Sequence, residues 1–232
     1  MRIAVIGLGR MGESVIAEAK RRGHQVVARI GEADNVNGAG LSAPTLNGAE
    51  VAIEFTQPGA AVANLHRLIE LGIPVVTGTT GWREELPALE ALVAARRGAL
   101  LHAANFSIGA HLMFRAAREL GRALAGRPEF DAAIFEQHHR RKLDSPSGTG
   151  LALQAAVRAG DPSRPYPITS ERLGSIPGLH RLEIDGEHET LTLTHSARNR
   201  AVFAVGAVTA AEWLPGRIGI YQFEHVLFGD ER

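Results

Sequence analysis

The densest chemistry in this 232-residue chain is the segment His138-His139-Arg140-Arg141-Lys142-Leu143-Asp144-Ser145-Pro146-Ser147-Gly148-Thr149-Gly150. Two imidazoles able to transfer protons near neutral pH stand beside three cations able to hold carboxylates. The hydroxyls of Ser147 and Thr149, with the Gly148 amide at a helix start, form a second anion cradle. An acidic small molecule suits such a segment. Lys142 has special weight because arginine supplies nearly every other positive charge and only Lys20 and Lys142 are lysine. A guanidinium cannot give up a proton at working pH, whereas an ammonium crowded by cations can. Adjacent histidines do not converge on one ion, and no HExxH or cysteine set accompanies them, so no metal is expected. His66, His102 and His111 lack such company and read as ordinary packing or surface residues.

A second cluster, Gly7-Leu8-Gly9-Arg10-Met11-Gly12, fits the GxGxxG pattern directly after an apolar run and at the opening of a helical one. The first glycine permits a tight turn, the second lets main chain approach a pyrophosphate, and the third lets helix and strand pack closely. Dinucleotide binding is the expectation. The next strand ends Ala28-Arg29-Ile30-Gly31-Glu32. Arg29 and Arg10 suit the 2′-phosphate of NADPH, and Glu32 suits the bare ribose of NADH, so both cofactors are expected to work.

These groups need a frame. Arg2–Ile6, Glu13–Arg22 and His24–Ile30 read as a βαβ unit, and Glu50–Phe55, Ile73–Thr77 and Leu100–Ala104 as further buried strands between helices at Gly59–Leu71 and Leu86–Arg97. That alternation predicts a parallel sheet. From Asn105 the pattern changes to a helix over His111–Leu124, a strand over Asp131–Glu136, the polar loop, and strands His180–Ile184 and Glu187–His195 flanking an Asp185-Gly186 turn. An antiparallel sheet is expected there, with the helical stretch after Phe203 returning to the first domain. The fold class is α/β: a Rossmann-type dinucleotide-binding domain (1–104 with 206–232) and a smaller α+β substrate-binding and oligomerisation domain (105–205).

Composition limits the alternatives. Apolar residues make up 45% and charged residues 22%, and the formal charge is zero. No global field draws the chain to nucleic acid or an anionic membrane, and no aromatic residues interleave Arg140 to Lys142. No cysteine, leader-like segment or membrane-length apolar run is evident, which predicts a cytoplasmic protein.

With the glycine turn and the HHRRKLDSPSGTG loop together, the sequence resembles the 4-hydroxy-tetrahydrodipicolinate reductase (dihydrodipicolinate reductase) family of lysine biosynthesis through diaminopimelate. Phe55-Thr56-Gln57-Pro58, Gly78-Thr79-Thr80-Gly81, Ala103-Ala104-Asn105-Phe106-Ser107-Ile108-Gly109 and Ile176-Pro177-Gly178-Leu179-His180 follow in family order. The resemblance implies His138 as proton donor, Lys142 as a second donor or electrostatic stabiliser, and substrate contacts from His139, Ser147, Gly148 and Thr149. It implies cofactor contacts from Gly7 to Gly12, Phe55, Thr56, Gly78, Thr79, Thr80, Ala103, Ala104, Asn105 and Phe106. It further implies an NAD(P)H-dependent oxidoreductase acting on a cyclic dicarboxylate, closure between the domains, and a homotetramer. Another two-domain dehydrogenase would share the glycine turn but not the loop. A catalytically silent nucleotide sensor would have lost His138 and Lys142.

Overall fold

The computed structural model describes residues 1–229. In chain order its elements are β1 (Arg2–Ile6), α1 (Arg10–Arg21), β2 (Gln25–Ile30), α2 (Ala43–Leu46), β3 (Val51–Glu54), α3 (Pro58–Glu70), β4 (Val75–Thr77), α4 (Leu86–Arg96), β5 (Ala99–His102), α5 (Ile108–Leu124), β6 (Phe130–His138), α6 (Gly148–Gly160), β7 (Ile168–Arg172), β8 (Leu179–Gly186), β9 (Thr190–Ser196), α7 (Ala201–Trp213), β10 (Gly219–Gln222) and α8 (Phe223–Phe228). Two compact units result, one built from Met1–Phe106 and the segment from Ala201 on, the other from Ser107–Arg200. The divisions fall at helix starts, two residues after the expected 104/105 boundary and five before 205/206. Ser107 caps α5, and Ala201 is the first residue of α7. The last three residues of the expected segment 206–232 lie outside the described residues.

The first unit is a parallel sheet in the order β10-β5-β4-β3-β1-β2. Its central strands are buried on both faces, as the continuous apolar runs Ile3–Ile6 and Val51–Ile53 require. The chain turns to opposite sides of β1 toward β2 and β3, which opens a crevice above the carboxyl ends of those strands. Helix α1 buries Gly12, Val15, Ile16 and Ala19 at helical spacing. Helix α7 does return to this unit and buries small residues, among them Ala204, Gly206, Ala207 and Ala211. Strand β10, expected as part of a helical tail, instead adds parallel to β5 at the sheet edge.

The second unit has a four-stranded sheet, β7-β6-β8-β9, under α5 and α6. It is mixed, not purely antiparallel, because β7 runs parallel to β6. The helices cross with main chain in contact. A Cβ on Gly121 would lie 2.1 Å from the Val157 carbonyl oxygen, and one on Gly160 would lie 2.4 Å from that of Arg118. The β8–β9 turn is Glu187-His188 and not Asp185-Gly186. Asp185 pairs with Thr190, and Gly186 stays in the strand, where a Cβ would lie 2.8 Å from the Phe130 ring. Among the described residues no helix is long and apolar enough to cross a membrane.

Candidate active site

In the first unit the site is built from main chain. Gly7 has φ +92°, and a Cβ there would lie 2.0 Å from the Phe55 carbonyl oxygen; one on Gly12 would lie 1.9 Å from the Gly7 carbonyl oxygen. Gly9 precedes α1 with no side-chain cap and nothing within 4 Å of where its Cβ would stand. Its amide end of α1 is therefore open to a phosphate. Beside it lies a cavity of about 620 Å³ lined by Gly7, Leu8, Gly9, Gly31, Glu32, Asn35, Asn37, Phe55, Thr56, Gln57 and Asn64, with Ile6, Ile30, Val36, Gly59 and Ala60. Among the described residues, the one charged residue in that lining is Glu32. Arg29 is instead ion-paired with Glu13 at 2.6 Å, and Arg10 is exposed on the first turn of α1.

The loops beyond β3 and β4 are tied to one buried carboxylate, Glu54. It accepts from the Thr56 amide at 3.0 Å and from the Thr56 and Thr77 hydroxyls, and the Thr56 amide also reaches Thr79 Oγ1 at 2.9 Å. Gly78 lies under the Phe55 ring, where a Cβ would be 1.9 Å from Cε1. A second cavity of about 280 Å³ is lined by Thr79, Thr80, Gly81, Trp82, Arg83, Leu86, His102, Ala103 and Ala104. His102 stands edge-on to Trp82, and burial, with Arg83 adding to it, lowers its basicity. Phe106 is buried between Phe55 and Phe223, so its side chain belongs to the core. The open glycine turn and crevice fit a dinucleotide.

In the second unit the site is built from side chains, and the sheet register explains why they meet. On the face under α5 and α6, the cross-strand rows Ala132/Ile184 and Ile134/Leu182 are apolar, followed by Ser170/Glu136/His180/His195 and Arg172/His138. The core turns polar where two helices begin. Ser107, the cap of α5, lies 3.4 Å from His195 Nε2, and Ser147, the cap of α6, lies 3.2 Å from His180 Nε2. His138 and His180 meet edge to face at 5.0 Å.

Glu136, fully buried, holds this row together. It accepts from the Ser147 amide at 2.9 and 3.1 Å, from the Ser147 hydroxyl, from the Ser170 hydroxyl at 2.9 Å and from Arg172 at 3.4 Å. Burial works to raise this carboxyl, but the Ser147 and Ser170 donors outweigh it and keep it below the usual range. Because the Ser147 hydroxyl donates to Glu136, it accepts from the Gly150 amide and from His180 Nε2–H. Neutral His180 then has a bare Nδ1. Burial, with His138 adding to it, pushes His180 down to about 4. Burial also lowers His138; Lys142 and Arg172 add to that effect, while Glu136 and Asp144 oppose it.

The sequence-predicted residues divide accordingly. His138 is buried beside Glu136 and His180, His139 and Lys142 are half-buried, and Arg140, Arg141 and Leu143 are exposed. Lys142 is not crowded by cations: its ammonium is paired with Asp144 at 2.8 and 3.0 Å, and the Asp144 carboxyl is lowered in return. Ser147 is 1% exposed, and its amide and hydroxyl are engaged inside the protein. Gly148 is exposed at the start of α6, with Thr149 half-buried behind it. Glu136, Arg172, His180 and His195 were not singled out from sequence as site residues. The Ile176-Pro177-Gly178-Leu179-His180 motif was the available signal for His180.

Nδ1 of His138, His139, His180 and His195, and Nε of Arg172, are each buried without a hydrogen-bond partner. Such groups cost free energy unless a ligand or water completes them. Glu136, His138 and His180 approach one another closely enough for a shared ion, their ligand atoms all within 4.8 Å. The carboxylate, however, is already saturated by Ser147 and Ser170 and faced by Arg172, a donor set that suits a hydrogen-bonded cluster.

The family model "Dihydrodipicolinate reductase, N-terminus" matches residues 1–106, and "Dihydrodipicolinate reductase, C-terminus" matches residues 109–227. A protein of Christiangramia forsetii named 4-hydroxy-tetrahydrodipicolinate reductase is 32% identical over 98% of this chain and 98% of its own. One of Natronomonas pharaonis with the same name is 35% identical over 97% of this chain and 99% of its own. Among solved structures, dipicolinate-bound dihydrodipicolinate reductase from Paenisporosarcina sp. TG-14 has the same fold, with a TM-score of 0.79 at 24% identity over 96% of this chain and 97% of that one.

Proposed function

The chain belongs to the dihydrodipicolinate reductase family, and from that premise we propose that it reduces 4-hydroxy-2,3,4,5-tetrahydrodipicolinate to tetrahydrodipicolinate, with loss of water, in lysine biosynthesis. The observation that carries this reading is the set of buried, unpartnered imidazole and guanidinium nitrogens of the second unit's polar row and its loop. A dianionic ring would accept from Arg172 Nε–H and from those imidazole nitrogens that carry a proton, while the bare Nδ1 of neutral His180 calls for a donor. NADH or NADPH, held by the Gly7 to Gly12 turn, supplies the hydride. Thr149, Lys142 and Arg172 receive a carboxylate near the positive end of α6, whose Gly148 amide already faces the Asp144 carboxyl. His139 contacts the ring from the other end of the loop. His138 and the Lys142 ammonium can each hold the proton that must follow hydride, and Lys142 also stabilises the charge that develops on the ring. Ser147 contributes by placing the cradle, since its own groups are engaged with Glu136.

For the cofactor, the Glu32 carboxylate in the lining of the larger cavity and the withdrawal of Arg29 onto Glu13 favour NADH, with NADPH still accepted. The homotetramer and the cytoplasmic location rest on family resemblance, to be checked by light scattering and by fractionation. The enzymatic reading is tested by following NADH and NADPH oxidation with substrate generated in situ by dihydrodipicolinate synthase. Turnover dependent on that synthase is expected with both cofactors, and its absence with both would overturn the assignment.

A further inference from the structure

We infer that Glu136 is a positioning residue of this reaction: through Ser147 it fixes the start of α6, beside which a substrate carboxylate docks, and its charge allows His138 to carry the proton. The inference rests on the reductase reading for its substrate and on geometry for the rest. Glu136 is fully buried, yet it is ionised and lies on the same face of β6 as His138, two residues away. Its carboxylate takes both the amide and the hydroxyl of Ser147, the residue whose oxygen caps α6 at Gly150. A one-carbon withdrawal of the carboxylate would loosen Ser147, and with it the start of α6 that Ser147 caps.

The electrostatic part follows from the groups around His138. Lys142 from the loop and Arg172 from the end of β7 oppose an imidazolium there, Asp144 favours one but is paired with Lys142, and neutral His180 on β8 adds no charge. Glu136 is the buried anion that offsets the two cations. A neutral carboxamide at this position leaves His138 facing Lys142 and Arg172 with its burial uncompensated, so the proton donor is lost at lower pH.

The test reads charge and cradle separately. In wild type, Glu136→Gln, Glu136→Asp and Ser147→Ala, the His138 imidazole is titrated by NMR in the unliganded protein, and dipicolinate affinity is measured by calorimetry. Glu136→Gln is expected to move the His138 midpoint to lower pH, to shift the corresponding limb of the kcat/KM profile the same way, and to weaken dipicolinate at least ~10-fold. Ser147→Ala and Glu136→Asp keep the charge; both are expected to weaken dipicolinate while leaving the midpoint in place. An unchanged midpoint in Glu136→Gln would overturn the electrostatic role, and unchanged affinity in Ser147→Ala and Glu136→Asp would overturn the positioning role. If Glu136→Gln fails to fold, the aspartate variant, titrated against wild type, still decides, because a lost midpoint there contradicts a role carried by charge. Failure of wild type to bind dipicolinate would count against the reductase reading, leaving the midpoint to judge Glu136.

Discussion

Gly9 and Ser147 both precede a helix whose amide end faces the proposed anion, yet their surroundings are opposite. Gly9 is exposed, caps α1 with no side chain, and has nothing within 4 Å of where a Cβ would be. Ser147 is buried, and its hydroxyl joins Glu136, Gly150 and His180. The first site is defined by volumes kept empty, which neither pH nor salt alters. The second is defined by which atoms hold protons, so it responds to pH. A cofactor of fixed shape needs only the former, whereas a substrate that must be protonated needs the latter.

The contrast is broken most severely by adding one methyl group. Gly12→Ala puts a carbon 1.9 Å from the Gly7 carbonyl oxygen, so NADH binding is expected to vanish together with a large fall in Tm. Gly9→Ala is expected to keep Tm and to weaken NADH at least ~10-fold, because the added methyl meets only the approaching phosphate. Loss of Tm in Gly9→Ala would show that its role is structural. Next in size, Lys142→Arg and His138→Gln are each expected to lower kcat by about 100-fold with NADH affinity unchanged, a typical loss for proton-transfer groups. Near-normal single-turnover rates in Lys142→Arg would make that residue a point charge and leave His138 as the donor.

Stability should sharpen the contrast next. Folded His180 stays neutral down to about 4, whereas the unfolded chain protonates it from 6.5, so the unfolded state binds the extra proton between those values. Stability therefore falls as pH falls through that window, by on the order of 2 kcal/mol at pH 4.5 for this one group. Urea melts at pH 7 and 4.5 should show the difference shrinking by that amount in His180→Gln; no change would place the acid sensitivity elsewhere. The smallest effects are expected at the ribose. Glu32→Ala should raise the NADH KM several-fold more than the NADPH one, and Arg29→Ala, already paired with Glu13, should alter either cofactor by less than about twofold.

Much of this was legible in the sequence, for identifiable reasons. Apolar runs such as Ile3–Ile6 and Leu100–Leu101 announce buried strands, and Gly7 and Gly12 announce a turn because only glycine fits there, with Gly9 between them left clear for a ligand. Strand β10, Gly-Ile-Tyr-Gln, is short and half-buried and follows a helical pattern without a strong break, so periodicity missed it. Strand β7, Ile-Thr-Ser-Glu-Arg, carries Ser170 and Arg172 inward because they meet Glu136, and a polar inward face does not read as a strand. The same cause hid the polar row. Glu136, His180 and His195 become neighbours only through the β6-β8-β9 register, which no local pattern encodes. Lys142 was found from composition, but its partner Asp144, two residues on, reverses the expected crowding by cations.

The second unit interrupts the first, and this has a consequence for synthesis on the ribosome. The first unit cannot be completed until α7 and β10 emerge, after the roughly ninety residues of Ser107–Arg200. At ordinary elongation rates that interval is on the order of 5–20 s. During it, the surfaces of α1, β3 and β4 that α7 will cover stand open on the nascent chain. The inserted unit, continuous in sequence, has all its strands and helices available by then and is the first part able to finish folding. The glycine turn, though translated first, becomes a finished binding site last.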